Sequence, residues 1–361
     1  MYKISVIVPI YNVEEFIEEA IQSVIKQSIG FENIQLLLID DCSTDRSGEI
    51  AKKYSKKYEN IIYYKLSKNS GMAGKPRNIG INIATGKYLM FLDPDDYYLS
   101  DACQKMYDCI EKENVKFVTS NLKDVDIDGN DLNNVHIDPK IYPSQKFTIT
   151  DIRLALKVMK HSCPVKIILR EFILEHKICF LESIPAEDAY FTSEMFLIAK
   201  EAFFQSEPIL CYRRRTVGNV SETNKLNERF FLRMIKANKE IYKLFQKHKE
   251  DNYYRYYYID TVIYILRKLI ISSDITIKDK LYILDEMQEL LSYWEKGKLP
   301  QKIESDSYKI LELINSKNRI DKEKCLSRLE KVMKSENINA IRKMEKRMIN
   351  EIEEILKCSF N

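Results

Sequence analysis

The chain has 361 residues, of which 45% are hydrophobic and 31% are charged, a length and balance typical of a soluble protein with two domains. The net charge of +3 is too small to indicate binding to nucleic acid. No segment has the roughly 20 apolar residues that cross a membrane, and the eight cysteines show no paired spacing, so we expect a cytoplasmic protein with reduced thiols.

Glycine and proline divide the chain into two parts of different character. Eight of the nine glycines and eight of the nine prolines precede residue 220. Because these residues mark turns between short elements, the first part is predicted to be turn-rich α/β and the second mostly helical. We expect the boundary within 218–226, which gives an α/β domain at 1–221 and an all-α domain at 222–361.

In the first part, short apolar runs alternate with segments of helical periodicity. The pattern predicts strands at 4–10, 35–39, 61–66 and 88–92, separated by helices at 13–27, 47–58 and 75–84. This order implies parallel strands joined by right-handed crossovers. We therefore predict a doubly wound, mostly parallel sheet of the nucleotide-binding type.

The segment after the fourth predicted strand carries three carboxylates within four residues, Asp93, Asp95 and Asp96. Pro94 cannot continue a strand, so these acids should lie at the carboxyl end of the sheet, where open α/β sheets bind ligands. Carboxylates this close repel one another unless a cation or hydrogen-bond donors compensate them. Mg²⁺ or Mn²⁺ held with substrate phosphates fits such oxygen ligands, although a cluster of this kind in isolation is more often a solvated turn.

Two other strand ends carry residues suited to a nucleotide. Tyr11 follows the first strand, where its ring could stack on a base or pack at the edge of the core. Asp41 follows the second strand and could accept hydrogen bonds from a base or a ribose. Asp45, a few residues later, is predicted to cap the next helix or to be structural.

The loop at 69–78 carries two cations, Lys75 and Arg77, into the start of a predicted helix. A helix amino terminus with nearby cations favours a diphosphate, although an ordinary exposed basic loop has the same composition. Three strand ends and this loop together predict one site for a base, a ribose, a diphosphate and a metal.

The order of these motifs resembles glycosyltransferase family 2, whose catalytic domain has the Rossmann-like GT-A fold. The runs that carry the resemblance are VIVPIYNVEEFIEEAIQSVIKQS, LLLIDDCSTDRSGEIA and NSGMAGKPRNIGINIATGKYLMFLDPDD. They cover about residues 3–100, with a looser continuation to about 221. The resemblance implies transfer of a sugar from a nucleotide-sugar, with UDP as the expected nucleotide.

The resemblance also implies that the strand-end residues form one donor site. The residues that would hold uracil are Pro9, Tyr11 and Asp41, and those that would lie by the base or diphosphate are Lys75 and Arg77. Asp93 and Asp95 would form the D-x-D motif that binds ribose and the divalent metal, with Asp96 beside them. Which of these three acids touches the ion stays open.

A later acidic pair, Glu187-Asp188, stands at the start of a helical pattern. Without the family, the pair would be explained as acids favoured by the helix macrodipole. In the family, an Asp in such a pair is the general base, which takes the proton of the acceptor hydroxyl in inverting transfer. Asp188 is therefore the expected catalytic base.

Two further segments match the family only in part. Lys166 corresponds to the lysine of a W-x-K segment whose tryptophan position is Pro164 here, and its role would be structural or on the acceptor side. The run CYRRRTVGNVS at 211–221 resembles a closing pattern in which Arg214 or Arg215 stands where histidine is often found. Arginine does not ligate a metal, but it could clamp a diphosphate.

The carboxy-terminal part shows helical periodicity without another catalytic motif. The tyrosine-rich stretch at 252–269 predicts a packed helix, an acceptor-binding face or a self-association surface. The amphipathic stretch at 337–357 predicts a helix that packs on its own domain or a partner, with contact to the inner face of the cell membrane as the alternative.

We therefore expect a metal-dependent inverting glycosyltransferase that uses Mn²⁺ or Mg²⁺ and moves a single hexosyl or N-acetylhexosaminyl group in cell-surface polysaccharide or glycoconjugate synthesis. The acceptor would be a saccharide, a lipid-linked glycan or a protein. One alternative is a catalytically silent protein that binds a glycan or a partner, against which Asp93, Asp95 and Asp188 argue. The other is a sugar-nucleotide pyrophosphorylase, whose glycine-rich amino-terminal loop has no counterpart here.

Overall fold

The computed structural model describes residues 1–159, 161–182, 184–214, 226–250 and 275–292, with 265, 268, 269 and 272 as single positions. The chain divides into two compact units, Met1–Val220 with Glu240–Tyr256 and Ser221–Lys239 with Tyr257–Asn361. Most of the stretch at 252–269, all of that at 337–357 and Arg215 lie outside the described residues. The prediction of an all-α domain at 222–361 therefore stays a prediction.

The strands described in the first unit form one sheet. In chain order they are β1 (Ile4–Ile10), β2 (Ile34–Asp40), β3 (Ile61–Lys65), β4 (Tyr88–Phe91), β5 (Tyr97–Tyr98), β6 (Phe117–Val125), β7 (Asp131–Val135), β8 (Gln145–Thr148), β9 (Lys166–Leu169) and β10 (Glu201–Arg213).

Helices connect and follow these strands. In chain order they are α1 (Ile17–Ile25), α2 (Ser47–Lys57), α3 (Gly74–Ile83), α4 (Ala102–Glu113), α5 (Ile152–Val158), α6 (Arg170–Glu175), α7 (Glu187–Ala199), α8 (Glu228–Lys247) and α9 (Ile277–Ser292). No helix among the described residues is long and apolar enough to cross a membrane.

The sheet is mixed, and its parallel part from β3 to β4 is the part that the sequence predicts. Its strand order is β3-β2-β1-β4-β9-β6-β10-β5, with β7 beside β6 and β8 beside β10. β3, β2, β1 and β4 are parallel to one another. β9 is antiparallel to both β4 and β6, and β10 is parallel to β6, so β6 and β10 run in the same direction as β1. The sequence pattern did not reveal the antiparallel β9 between β4 and β6.

The predicted strands and helices agree closely with the observed ones. β1 has the predicted bounds, and every residue of β1 and β2 is buried, as expected for a parallel strand covered on both faces. The first helix is shorter than the predicted 13–27, because residues before Ile17 form turns in which the Phe16 N–H donates to the Val13 carbonyl oxygen at 3.0 Å.

Two glycines of α3 place this helix against the rest of the unit. A Cβ at Gly80 would lie 2.4 Å from Ile7 Cγ2, so α3 packs directly on β1. A Cβ at Gly74 would lie 2.1 Å from the Leu181 carbonyl oxygen, so the start of α3 touches the segment that leads into α7. These close approaches need residues without a side chain, and they bring the first turns of α3 and α7 together.

Several strands end at the same edge of the sheet, the edge formed by the carboxyl ends of its parallel strands. β1, β2, β4, β6 and β10 end there, and antiparallel β9 begins there. Tyr11, Asp41, Asp93, Lys166 and Arg213 consequently lie along this edge. In open α/β sheets, this is the edge at which ligands bind.

Candidate active site

A buried arginine joins three carboxylates at this edge. Arg77, in the first turns of α3, is 3% exposed. Its Nη1 donates to Asp188 Oδ1 at 2.6 Å and to Glu187 Oε1 at 3.1 Å, and its Nη2 donates to Asp93 Oδ1 at 2.8 Å. Two acids of α7 and one acid after β4 therefore share the guanidinium group that α3 supplies.

The surroundings of Arg77 explain why its charge is retained in a buried position. Burial alone would lower the pKa of Arg77, but the carboxylates of Asp188, Asp93 and Glu187 more than offset this and raise the pKa. The guanidinium also lies over the Phe180 ring, 5.3 Å from its centroid. Such a buried charge depends on its partners, since removing one side of a buried ion pair leaves the other uncompensated.

Asp188 has the properties of a proton acceptor. Burial raises its pKa, and the opposing effect of Arg77 does not restore the usual value. Its second oxygen, Oδ2, accepts a hydrogen bond from the Cys163 backbone N–H at 3.3 Å. The side chain is still 24% exposed, so a substrate hydroxyl could reach it. A raised pKa brings a carboxylate closer to the range in which general bases work best.

Lys166 lies near Asp188 and is not exposed to solvent. It is fully buried at the start of β9, and its Nζ donates to the Ser162 carbonyl oxygen at 2.7 Å. Its positive charge also lowers the pKa of Asp188, although burial of the carboxyl has the larger effect. This position favours the structural role that was one of the two predicted for Lys166.

Glu187→Gln should make the free energy of unfolding less dependent on pH. Burial and the neighbouring Asp188 raise the pKa of Glu187 from 4.5 to about 7, so the folded chain holds a proton there that the unfolded chain has lost. The free energy of unfolding of the unaltered protein therefore falls as pH rises through this window, by on the order of 2 kcal/mol from this group. Urea unfolding of both proteins at pH 5 and pH 8 measures the difference, and equal pH dependence would contradict the assignment.

The acidic segment after β4 is partly open and partly buried. Asp93 and Asp95 are half-buried, whereas Asp96 is buried and accepts a hydrogen bond from the Arg213 backbone N–H at 2.9 Å. Burial, followed by the charges of Asp95 and Asp93, raises the pKa of Asp96 well above its usual range. A cation bound near Asp93 and Asp95 would offset the repulsion that their charges exert on Asp96.

The acids fit a divalent cation by their chemistry but do not form a complete ligand set. Among the described residues, no three His, Cys, Asp or Glu side chains stand together as metal ligands. Carboxylate oxygens are nevertheless the ligands that Mg²⁺ and Mn²⁺ prefer, usually with substrate phosphates supplying the rest. Asp95 and Asp93 are the acids of this segment that solvent reaches.

The residues predicted to hold uracil differ in accessibility. Tyr11 is 47% exposed just beyond β1, where its ring is open to a ligand. Pro9 is buried within β1 and pairs with Ile39 of β2. Asp41 is also buried, and its carboxylate accepts hydrogen bonds from the Ser70 N–H at 2.9 Å and the Ser70 hydroxyl at 2.8 Å. In this structure Asp41 thus stabilises the loop before α3 through hydrogen bonds. The predicted contact of Asp41 with a nucleotide stays a prediction.

The predicted cations near the diphosphate have different partners in the structure. Lys75 is half-buried in the first turn of α3, close to Arg77 in the chain. Arg214 instead donates to Asp124 Oδ2 at 3.0 Å, beside His136, and lies over the Tyr212 ring. The structure therefore brings Arg77, Asp93 and Asp188 into direct contact but leaves Arg214 on a separate polar cluster.

Two contacts of the site were not predicted from the sequence. Glu187 was noted only as the neighbour of Asp188, yet it shares the Arg77 guanidinium. Arg213 was part of a quoted motif but was given no role, although its backbone and side chain both contact the acidic segment. The signal that could have indicated it is an arginine inside an otherwise apolar strand end, since arginine is rarely buried without partners.

The structure is similar to the crystal structure of Staphylococcus aureus TarS residues 1–349 in complex with UDP-GlcNAc, with a TM-score of 0.71, 22% sequence identity and coverage of 92% of each chain. The sheet with its strand-end acids is accordingly a GT-A fold.

Sequence comparison finds similarity to glycosyltransferases. Residues 5–176, just under half of the chain, match the model of Glycosyl transferase family 2. It is 35% identical over 204 residues to a poly(ribitol-phosphate) beta-glucosyltransferase of Bacillus spizizenii, which is 55% of this chain and 30% of that protein. It is 30% identical over 222 residues to the poly(ribitol-phosphate) beta-N-acetylglucosaminyltransferase TarS of Staphylococcus aureus, which is 60% of this chain and 36% of TarS. The matched parts thus span about a third of these relatives' lengths.

Proposed function

We propose that this protein transfers a single sugar, with inversion, from a UDP-sugar to a hydroxyl group of a cell-surface polymer or its precursor. The observation that carries the proposal is the Arg77 guanidinium, which holds Asp188 Oδ1 at 2.6 Å and Asp93 Oδ1 at 2.8 Å. The expected base and the first acid of the expected D-x-D motif are therefore neighbours, as a reaction between donor and acceptor at one point requires.

In the proposed step, Asp188 accepts the proton of the acceptor hydroxyl. The hydroxyl oxygen forms a bond to the anomeric carbon of the sugar from the face opposite the nucleotide, while the bond from that carbon to the diphosphate oxygen breaks. The proton ends on Asp188 and the electron pair of the broken bond ends on UDP. The corresponding use of a base carboxylate is known from inverting glycosidases, where the nucleophile is water.

A divalent cation, Mn²⁺ or Mg²⁺, would be held by Asp95 together with Asp93 or Asp96. When bound, such an ion supplies positive charge that offsets the charge developing on the departing diphosphate. Burial of Asp96 beside Asp95 and Asp93, which raises its pKa, supports a cation in this position, since a cation would offset the negative charge of these acids. Lys75, in the first turn of α3, would add a second positive charge near the phosphates.

The chemistry of donor and acceptor is inferred from the relatives. The similar TarS structure holds UDP-GlcNAc, which supports a UDP-linked hexosyl or N-acetylhexosaminyl donor. Two relatives are named for poly(ribitol-phosphate), which supports an acceptor that is a polymer of the cell surface rather than a free protein. Such a role would place the protein in the cytoplasm, with peripheral contact to the membrane or self-association through the carboxy-terminal region as further proposals.

Asp95→Asn should weaken Mn²⁺-dependent binding of UDP by at least about tenfold, the scale seen when even an indirect contact to a bound metal is lost. Calorimetric titration of UDP with and without Mn²⁺ measures this effect. The matched control is Asp108→Asn, an exposed acid on α4 that accepts only a surface hydrogen bond from Gln104 at 2.7 Å. Unchanged Mn²⁺ dependence in the Asp95 variant would remove the metal assignment. UDP binding without any sugar transfer by the unaltered protein would favour the catalytically silent alternative.

A further inference from the structure

Arg213, at the end of β10, is a buried arginine that the proposed transfer step does not use. It is 5% exposed. Its backbone N–H donates to Asp96 Oδ1 at 2.9 Å, and its Nε donates to the Asp95 carbonyl oxygen at 3.0 Å. Its Nη1 and Nη2 donate to the Ile127 carbonyl oxygen and the Glu19 carboxylate. One residue therefore connects the acidic segment to α1 and to the turn after β6.

Two aromatic rings hold the guanidinium plane of Arg213 in place. It lies 5.2 Å from the centroid of the Phe16 ring and 5.6 Å from that of Tyr97. Attraction of a cation to an aromatic face adds to the hydrogen bonds and restricts rotation of the side chain. Because guanidinium is planar and carries its donors on three nitrogens, it can serve three acceptors spread around its edge, whereas the donors of an ammonium group all lie at one nitrogen.

We propose that Arg213 is a positioning residue that holds Asp95 and Asp96 in the conformation that binds the donor and its cation. This inference rests on the proposed function, because it concerns the same acids. Arg213 contacts Asp95 through the backbone oxygen and Asp96 through its own backbone N–H, and its guanidinium donates to acceptors of the protein, so its role toward the donor is indirect. Rotation of the Asp95 peptide would break a buried hydrogen bond to a charged group, a stronger contact than one between neutral groups. Functional side chains need such support to keep a productive geometry.

Arg213→Met tests the proposal by the cation requirement of UDP binding rather than by turnover. We expect the Mn²⁺ concentration that gives half-maximal UDP binding to rise by about tenfold, the scale for loss of an indirect contact to a metal. At saturating Mn²⁺, the Kd for UDP should stay within about threefold of the original, since the cation then enforces the conformation. A purely structural role would lower the thermal unfolding midpoint but leave the Mn²⁺ requirement unchanged, and this result would overturn the proposal.

A milder pair of variants covers the case in which Arg213→Met does not fold. Glu19 is half-exposed on α1, so Glu19→Gln should fold while it weakens one anchor of Arg213. We expect it to raise the Mn²⁺ requirement by about threefold, in proportion to the single anchor weakened. Glu18→Gln is the matched control, since Glu18 is the preceding residue but accepts from the Tyr54 hydroxyl at 2.7 Å.

The experiments distinguish failure of the proposed function from failure of the role of Arg213 alone. If the unaltered protein does not bind UDP, the proposed function and the role of Arg213 both fail. If it binds UDP with Mn²⁺, and Glu19→Gln behaves like Glu18→Gln while Arg213→Met keeps the original Mn²⁺ requirement, the role of Arg213 alone fails.

Discussion

Asp188→Asn should lower the rate of sugar transfer by about 10³-fold while the Kd for UDP changes by less than about threefold, because a general base typically contributes 10²- to 10⁴-fold to a rate. The amide keeps the shape of the side chain and can still accept a hydrogen bond from Arg77, but it cannot accept the proton of the acceptor. Steady-state kinetics with a UDP-sugar and a polymer acceptor, together with calorimetric UDP binding, separates the two effects.

Glu187→Gln is the matched control for this experiment. Glu187 precedes Asp188 in α7 and contacts the same Arg77 Nη1, at 3.1 Å instead of 2.6 Å. At pH 8, above the raised pKa of Glu187, both variants remove one negative charge from the same guanidinium, so rates compared at this pH reflect a similar change in charge balance. We expect the Glu187 variant to lose less than about tenfold in rate, because it leaves the proton acceptor intact. Equal losses in the two variants would mean that the charge balance, and not a base at Asp188, determines the rate.

The location of the candidate site at the carboxyl ends of the strands was predictable because local patterns mark those ends. The apolar run at 88–92 is followed by Pro94, which cannot continue a strand. The acids on either side of Pro94 must then lie where the strand ends. The same logic placed Tyr11 and Asp41 at the ends of β1 and β2, where the structure has them. Alternation of strand and helix patterns was enough to predict the four parallel strands β1 to β4, since a crossover between parallel strands has few alternatives.

The partners of these residues were not predictable, because they come from distant parts of the chain. Arg77 and Asp188 are separated by 111 positions, and their contact depends on the packing of α3 against the segment before α7. Asp41 pairs with Ser70, 29 positions away, through a loop whose conformation no periodicity encodes. Arg213 reaches Glu19 across 194 positions. Sequence patterns indicate which edge of a sheet carries function, whereas the charge balance at that edge arises only from tertiary packing.

Arg77→Met should lower the free energy of unfolding by about 3–5 kcal/mol at pH 8, because it leaves three carboxylates without their shared cation. Methionine fills a similar volume but offers no donor to Asp93, Glu187 or Asp188. The pKa of Glu187 and the pKa of Asp188 in the folded protein should rise further when the positive charge of Arg77, which lowers both, is lost. A carboxyl with a raised folded-state pKa is favourable at low pH and becomes unfavourable as pH rises through that value. The destabilisation should therefore be smaller at pH 5 than at pH 8.

Urea unfolding of Arg77→Met at both pH values distinguishes this charge effect from simple loss of packing. A packing defect costs the same at pH 5 and pH 8, so a loss independent of pH would contradict the role of Arg77 as the common counter-ion. Arg46→Met is the control for arginine removal as such, since Arg46 is exposed and its contact with Glu49 is 4.0 Å long. We expect it to cost less than about 0.5 kcal/mol, as is usual for exposed ion pairs. Arg77→Lys should fall between these limits, because one ammonium group keeps the charge but cannot reach acids on both sides as the two Nη atoms of Arg77 do.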